Sequence, residues 1–227
     1  MSDTGNIKQH DAEKAYLEHF AKELLETLLP DKYSQISHSE RPDLLMGPDY
    51  GIEVTWAMFE NQGRGRGILN IASGKKLEQL SKGIRRNIEK ANIEMITKDN
   101  GIICGYEHKE YRNRCTDDEL IQEYQKKKEK IAGYSTKITD LFIFPALAQI
   151  DNWLGEDVIC EYFKTISDDE NNPFNNIIVY EEPTLYVLNI PKKQYISIRG
   201  QEEQIKKCYM AADSYSGYSE INRIRNR

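Results

Sequence analysis

No apolar run in the sequence approaches the ~20 residues that a membrane-spanning helix requires. The N-terminal Met1-Ser-Asp-Thr-Gly-Asn6 has neither the basic nor the apolar region of a secretory signal. Cysteine is scarce: Cys104, Cys115, Cys160 and Cys208 are scattered, with no CxxC pair. That spacing argues against a disulfide scaffold and against structural zinc, and it leads us to expect reduced thiols in a cytoplasmic protein. The four histidines (His10, His19, His38 and His108) show no HxH or HxxxH spacing, so a histidine metal site is not expected. A GxSxG nucleophile motif is missing, and Gly63, Gly65 and Gly67 do not follow a strand as a dinucleotide fingerprint would. What remains is a chain of 227 residues, 39% apolar and 30% charged, with a net charge of -6. It is long enough to bury a core, and its length fits one domain carrying an insertion. The acidic balance speaks against nonspecific coating of nucleic acid but leaves room for a local basic surface.

Hydrophobic spacing gives an outline of the elements. Tyr16, Leu17, Phe20, Leu24 and Leu28 predict a helix over 11–29, stopped by Pro30. Short strands are expected at 33–38, 44–46 and 52–56, with Gly47-Pro-Asp-Tyr-Gly51 as the turn of a hairpin. Gly63-Arg-Gly-Arg-Gly67 reads as a flexible basic loop. Leu77, Leu80, Ile84, Ile88, Ala91 and Met95 mark a following helix. Between 63 and 90 stand eight Lys or Arg against Glu78 and Glu89, a local charge of +6 in an acidic chain. A strand is expected at 102–106. Thr116-Asp-Asp-Glu119 suits a capping box that opens a helix reaching Ala132 through Lys126-Lys-Lys-Glu-Lys130. Leu141-Phe-Ile-Phe144 reads as a buried strand, with more strands at 176–180, 185–190 and 195–198. Residues 215–227 are expected to be a mobile tail. The pattern is α/β: a mixed central sheet with helices on both faces.

The chemistry is concentrated in Ser39-Glu-Arg-Pro-Asp43 and Gly51-Ile-Glu-Val-Thr55. A turn centred on Asp49 would set residue 45 opposite 53 and 43 opposite 55. Side chains alternate with period two, so Asp43, Glu53 and Thr55 would share one face. Taken alone, Asp43 could be a turn residue and Glu53 an exposed strand acid. Glu53, however, lies in the apolar string Ile52, Val54, Trp56, where a carboxylate needs a reason. Two converging carboxylates suit a hard divalent ion such as Mg²⁺ or Mn²⁺, which would act on a phosphoryl group and its attacking water.

Helix, strand, a Pro-Asp and Glu-x-x hairpin, then a Lys-rich helix and an apolar strand resemble the PD-(D/E)xK superfamily of restriction-endonuclease-like nucleases. The similarity covers residues 11–60 and 117–146, with 61–116 as an inserted helical, basic segment in a single domain. SExPD followed by IEVT resembles a poorly characterised bacterial branch of that superfamily. The resemblance implies an α-β-β-β-α-β core, Asp43 and Glu53 as metal ligands, and Glu40 with Glu13 or Glu18 as accessory acids. It also implies a Mg²⁺- or Mn²⁺-dependent phosphodiesterase acting on DNA, with RNA as the other candidate polymer, no membrane partner, and a homodimer by analogy. Thr55 departs from the pattern, since the superfamily usually has lysine there. Lys127 and Lys130, three apart on the later helix and followed by Tyr134, are the substitutes. If neither reaches the carboxylates, the chain would be a degenerate binding protein that does not cleave. Arg64, Arg66, Lys75, Lys76, Lys82, Arg85 and Arg86 are the expected contacts to nucleic acid.

Overall fold

Apolar and polar residues alternate through 50–57, and the strand they build organises the larger part of the chain. The computed structural model describes residues 9–57, 60–109, 117–145 and 154–217. The elements begin with α1 (Gln9–Leu28), β1 (Ser37–His38), β2 (Leu44–Met46), β3 (Tyr50–Ala57), α2 (Glu60–Ala72) and α3 (Lys82–Lys90). They continue with β4 (Ile93–Thr97), β5 (Ile103–His108), α4 (Asp117–Lys130), β6 (Ile138–Pro145) and α5 (Glu156–Ser167). β7 (Asn176–Glu181), β8 (Thr184–Asn189), β9 (Gln194–Arg199) and α6 (Glu202–Ser216) complete the order. The chain divides into two units, one from 1–57 and 114–218 and a second centred on 58–113.

The first unit is α/β, built on a mixed seven-stranded sheet in the order β1-β2-β3-β6-β7-β8-β9. β3, β6 and β7 are parallel neighbours, and the remaining pairs are antiparallel. Period-two alternation sorts β3 between the two faces. Ile52 and Val54 join Phe142, Phe144, Ile178, Tyr180, Leu185 and Val187 in a core covered by Phe20, Ala21, Leu24 and Leu25 of α1 and by Ile205, Cys208 and Ala212 of α6. Each fully buried Leu, Ile, Val or Phe of this core contributes about 1.5–3 kcal/mol. The opposite face carries buried Leu141, Ile143, Ile177 and Val179, and α4 runs against β3 and β6, with α5 beside it. Glu53 and Thr55 therefore point toward α4. Among the described residues, no helix is long and apolar enough to cross a membrane.

At the N-terminal ends of β3 and β6, Asp140 is fully buried and takes hydrogen bonds from five groups, the longest from Asn175 Nδ2 to Oδ1 at 3.5 Å. Tyr33 Oη and Tyr50 Oη donate to Oδ2 at 2.5 and 2.7 Å, and Asn176 N and Nδ2 donate to Oδ1 at 2.9 and 2.7 Å. These bonds satisfy a charge that burial would otherwise make very costly. Burial and the adjacent Asp140 hold both tyrosines far above their ordinary pKa, so they remain donors.

The structure corrects several sequence expectations. The hairpin register is Leu44↔Ile52, Leu45↔Gly51 and Met46↔Tyr50, which centres the turn on Pro48 rather than Asp49. Asp43 therefore falls opposite Glu53, not Thr55. The shift moves each partner by two residues, so the faces are kept. The Gly63–Gly67 loop is instead part of α2. Tertiary packing offsets the low helix propensity of glycine there: Gly65 lies against the Tyr106 ring, and Ile68 and Ala72 are buried. The single helix expected through Leu77–Met95 is a short 3₁₀ turn (Leu77–Gln79), then α3, then β4. Asn92 stops α3 with φ of 51°, a left-handed conformation that cannot continue a helix. The expected mobile tail starts too early, because Tyr215 and Ser216 close α6 and Gly217 caps it with φ of 63°. Residues 218–227 of that expectation lie outside the described residues, as does Thr116 of the capping box.

Candidate active site at the β2–β3 hairpin

Asp43 stands just before β2, where that short strand leaves the upper edge of β3 unpaired. Its Oδ2 accepts the Val54 N–H at 2.9 Å, in place of the missing strand partner. The approach is close because residue 51 is glycine: a Cβ there would meet Pro42 Cγ at 2.2 Å. Asp43 and Glu53 are only 4% and 6% exposed, so the hairpin holds two buried carboxylates side by side in its register.

Three elements supply the groups around them. From α4, Lys127 Nζ lies 2.5 Å from Glu53 Oε1. Tyr134, just after α4, also donates to Glu53. Burial, that bond and the charges of Glu53 and Asp43 hold its hydroxyl far above the ordinary tyrosine pKa, with Arg41 opposing. From α1, Lys14 Nζ lies 3.1 Å from both Asp43 Oδ1 and Glu18 Oε1. Burial pulls the Lys14 pKa down, but Asp43 and Glu18 outweigh it, so the net direction is upward. Glu18 is pushed up to about 7 by burial and by the negative charge of Asp43, with which its side chain is hydrogen-bonded; Lys14 opposes the shift. Glu18 is thus partly protonated near neutrality.

Thr55 donates its hydroxyl to Glu123 Oε2 on α4 at 3.0 Å. Glu123 and Lys127 are four apart, hence on one face of α4, and that face meets Glu53 and Thr55. Lys130 is rotated by about 60° from Lys127 on the helix, is exposed, and is not bonded to Glu53. The structure therefore brings Asp43, Glu53, Lys127 and Glu18 together and leaves Lys130 aside. Glu40 is exposed, with no ion pair to Lys14 or Lys127, and Glu13 is half-buried on α1. Lys14 and Tyr134 were not among the expected site residues. Lys14 had a signal, since it stands four residues before Glu18 on the first helix.

The donor set can be tested against a metal. Each carboxylate oxygen accepts about two bonds, so Asp43 and Glu53 keep free acceptor positions beyond Lys14, Glu18, Val54 N, Lys127 and Tyr134. Among the described residues, no three His, Cys, Asp or Glu side chains are grouped to hold an ion. Two carboxylates without a third ligand do not suit a closed cage. They do fit Mg²⁺ or Mn²⁺, which keeps its waters and takes substrate phosphate as a ligand.

The basic residues are used unevenly. In the first unit, Lys126 pairs with Glu123 and Lys128 with Asp169, each at 2.5 Å, so with Lys127 three lysines of the α4 cluster are already engaged. In the second unit, Arg85 is spent on carbonyls: Nε donates to Leu80 O at 3.1 Å and Nη2 to Glu78 O at 2.8 Å. Lys75 Nζ likewise donates to Ile71 O at 2.8 Å. Arg64, Lys76, Lys82 and Arg86 are exposed, and the Arg66 side chain lies outside the described residues. No family model, no curated protein and no solved structure matches the chain.

Proposed function

We propose that the chain is a divalent-metal-dependent phosphodiesterase with a restriction-endonuclease-like core, and that it acts on DNA. The observation that carries this reading is the Lys127 ammonium on Glu53, next to Asp43. An acid pair and a cation thus meet at one hairpin although lysine is missing from position 55. Asp43 and Glu53 would hold the ion. When bound, it would lower the pKa of the attacking water and polarise a phosphoryl oxygen. The chain's own groups have separate roles. Lys127 holds Glu53 in place and presents positive charge where the phosphorane develops negative charge. Tyr134 orients Glu53 by its hydrogen bond, and Lys14 with Glu18 fixes Asp43. Water oxygen bonds to phosphorus, the bridging P–O bond breaks, and the leaving alkoxide takes a proton from solvent or from a neighbouring acid.

A second reading, a binding protein that keeps this fold without cleaving, is favoured by a different observation. Both carboxylates already carry a lysine, Lys14 on Asp43 and Lys127 on Glu53, and these cations compete with a metal. An assay on labelled single-stranded and duplex DNA and RNA with Mg²⁺, Mn²⁺ or EDTA separates the two. Metal-dependent cleavage lost in Asp43→Ala and Glu53→Ala supports the enzyme. A wild type that cleaves no polymer form under any of these conditions supports the binding protein.

A further inference from the structure

The second unit buries its own core, in which Ile68, Ala72, Leu80, Ala91, Ile93, Met95 and Ile103 pack with Ile84 and Ile88 of α3. Ile84 and Ile88 use up the apolar side of α3. On the opposite side Lys82, Arg86 and Lys90 follow at intervals of four, each about 6 Å further along the axis and turned by about 40°. All three are exposed. Unlike those of Arg85 and Lys75, their side chains take part in no ion pair or hydrogen bond among the described residues. Glu89 is the only acid on α3. Residues 63–90 carry +6 in a chain of -6, so the remainder carries -12 and the positive charge is concentrated here.

We propose that Lys82, Arg86 and Lys90 form a contact stripe for the phosphodiester backbone of nucleic acid, making the second unit a polymer-holding module. Duplex DNA presents one negative charge per about 1.7 Å of axis, so a stripe about 12 Å long meets several phosphates. An anionic membrane is the less suitable polyanion. A helix lying in a lipid surface needs a free apolar face below its cations, and α3 has buried its own. Contacts to phosphate position the polymer and carry no sequence information, so binding through the stripe is expected to be independent of sequence. The proposal extends the phosphodiesterase reading by naming how the polymer is held, but its test does not depend on cleavage.

The test uses the full chain in EDTA and the fluorescence anisotropy of a labelled duplex of about 30 bp, at about 50 to 200 mM KCl. Replacing the three cations by glutamine (Lys82→Gln, Arg86→Gln, Lys90→Gln) should flatten the slope of log affinity against log salt by about 2.7. Over that salt range the wild type should then lose affinity about 40-fold more than the variant. The charge-keeping set Lys82→Arg, Arg86→Lys and Lys90→Arg should retain the wild-type slope. If the triple glutamine chain does not fold by circular dichroism, the single variants decide, each expected to remove about 0.9. An unchanged slope in the glutamine variants overturns the proposal, as does tighter binding to phosphatidylserine vesicles than to the duplex. Stripe-dependent binding in EDTA, with no cleavage of any polymer when Mg²⁺ or Mn²⁺ is supplied, would refute the phosphodiesterase and leave the module standing. Cleavage with an unaltered slope would do the reverse.

Discussion

Lys127 Nζ meets Glu53 Oε1 at 2.5 Å across 74 positions of sequence, joining α4 to the central strand β3. Both side chains are largely shielded, at 15% and 8% exposure, so the pair is held mostly out of water. Removing one partner leaves an uncompensated buried charge. Lys127→Ala should therefore destabilise the first unit by about 3 kcal/mol, whereas the double change Lys127→Met with Glu53→Leu should recover most of that loss. Urea unfolding of the four corners of the cycle measures it, and additive losses would show that the pair is not coupled.

Asp140 should matter to stability more than any other polar residue in the sheet. Asp140→Ala leaves Tyr33, Tyr50 and Asn176 without their acceptor, and the expected cost is about 3 kcal/mol or more. Tyr50→Phe removes one donor of several and should cost only about 1 kcal/mol. Equal losses for the two variants in chemical denaturation would contradict this assignment.

His19 and His38 form a pH-dependent joint. His19 Nδ1 and His38 Nε2 are 2.9 Å apart, and both rings stack on Tyr215 at the end of α6, with centroids 4.2 and 4.6 Å away. Burial lowers both pKa values. Lys22 lowers both further, Glu23 and Glu26 oppose for His19, and His19 adds to the lowering of His38. The unfolded chain then binds more protons below about pH 6.5, so this contribution is complete above that value and is lost as pH falls. Glu18 acts with the opposite sign. Its raised pKa gives a contribution present below the ordinary glutamate value and lost as pH rises toward about 7. Urea unfolding between pH 5 and 7.5 should show His38→Gln less weakened by acid than wild type, and Glu18→Gln less weakened by rising pH. Parallel stability curves for His38→Gln and wild type would refute the joint.

Arg85 and Arg86 are neighbours in sequence with different work to do. Arg85 closes the turn before α3 through Leu80 O and Glu78 O, so Arg85→Ala should cost the second unit about 1 kcal/mol. Arg86→Ala should stay within about 0.5 kcal/mol, as an exposed residue without a partner does. Amide exchange at residues 77–85 distinguishes them, and equal protection in both variants would count against this division.

The hairpin and its acids were legible because period-two alternation is strict. Ile52, Val54 and Trp56 had to face one way, so Glu53 had to face the other, and the two-residue error in register preserved that parity. The choice between Lys127 and Lys130 was not legible, because it depends on how α4 is rotated against β3, a matter of tertiary packing. Lys14 and Tyr134 stayed hidden for the same reason. α6 was missed since its inward residues, Ile205, Cys208 and Ala212, include two small ones that give a faint helical signal. The Gly-rich α2 contradicts local propensity, and tertiary packing accounts for it: the Tyr106 ring lies over Gly65, and Ile68 and Ala72 are buried.

The central claim is that Asp43, Glu53 and Lys127 act together on a phosphodiester. Its most direct test is the single-turnover cleavage rate of labelled DNA in Mn²⁺ by wild type and Lys127→Met, with Mn²⁺ binding measured in parallel. The account predicts cleavage by wild type that EDTA abolishes, and a rate lowered at least about 100-fold in Lys127→Met while Mn²⁺ is still bound. A variant that cleaves at the wild-type rate, or a wild type that binds Mn²⁺ and leaves every DNA substrate intact, would contradict it.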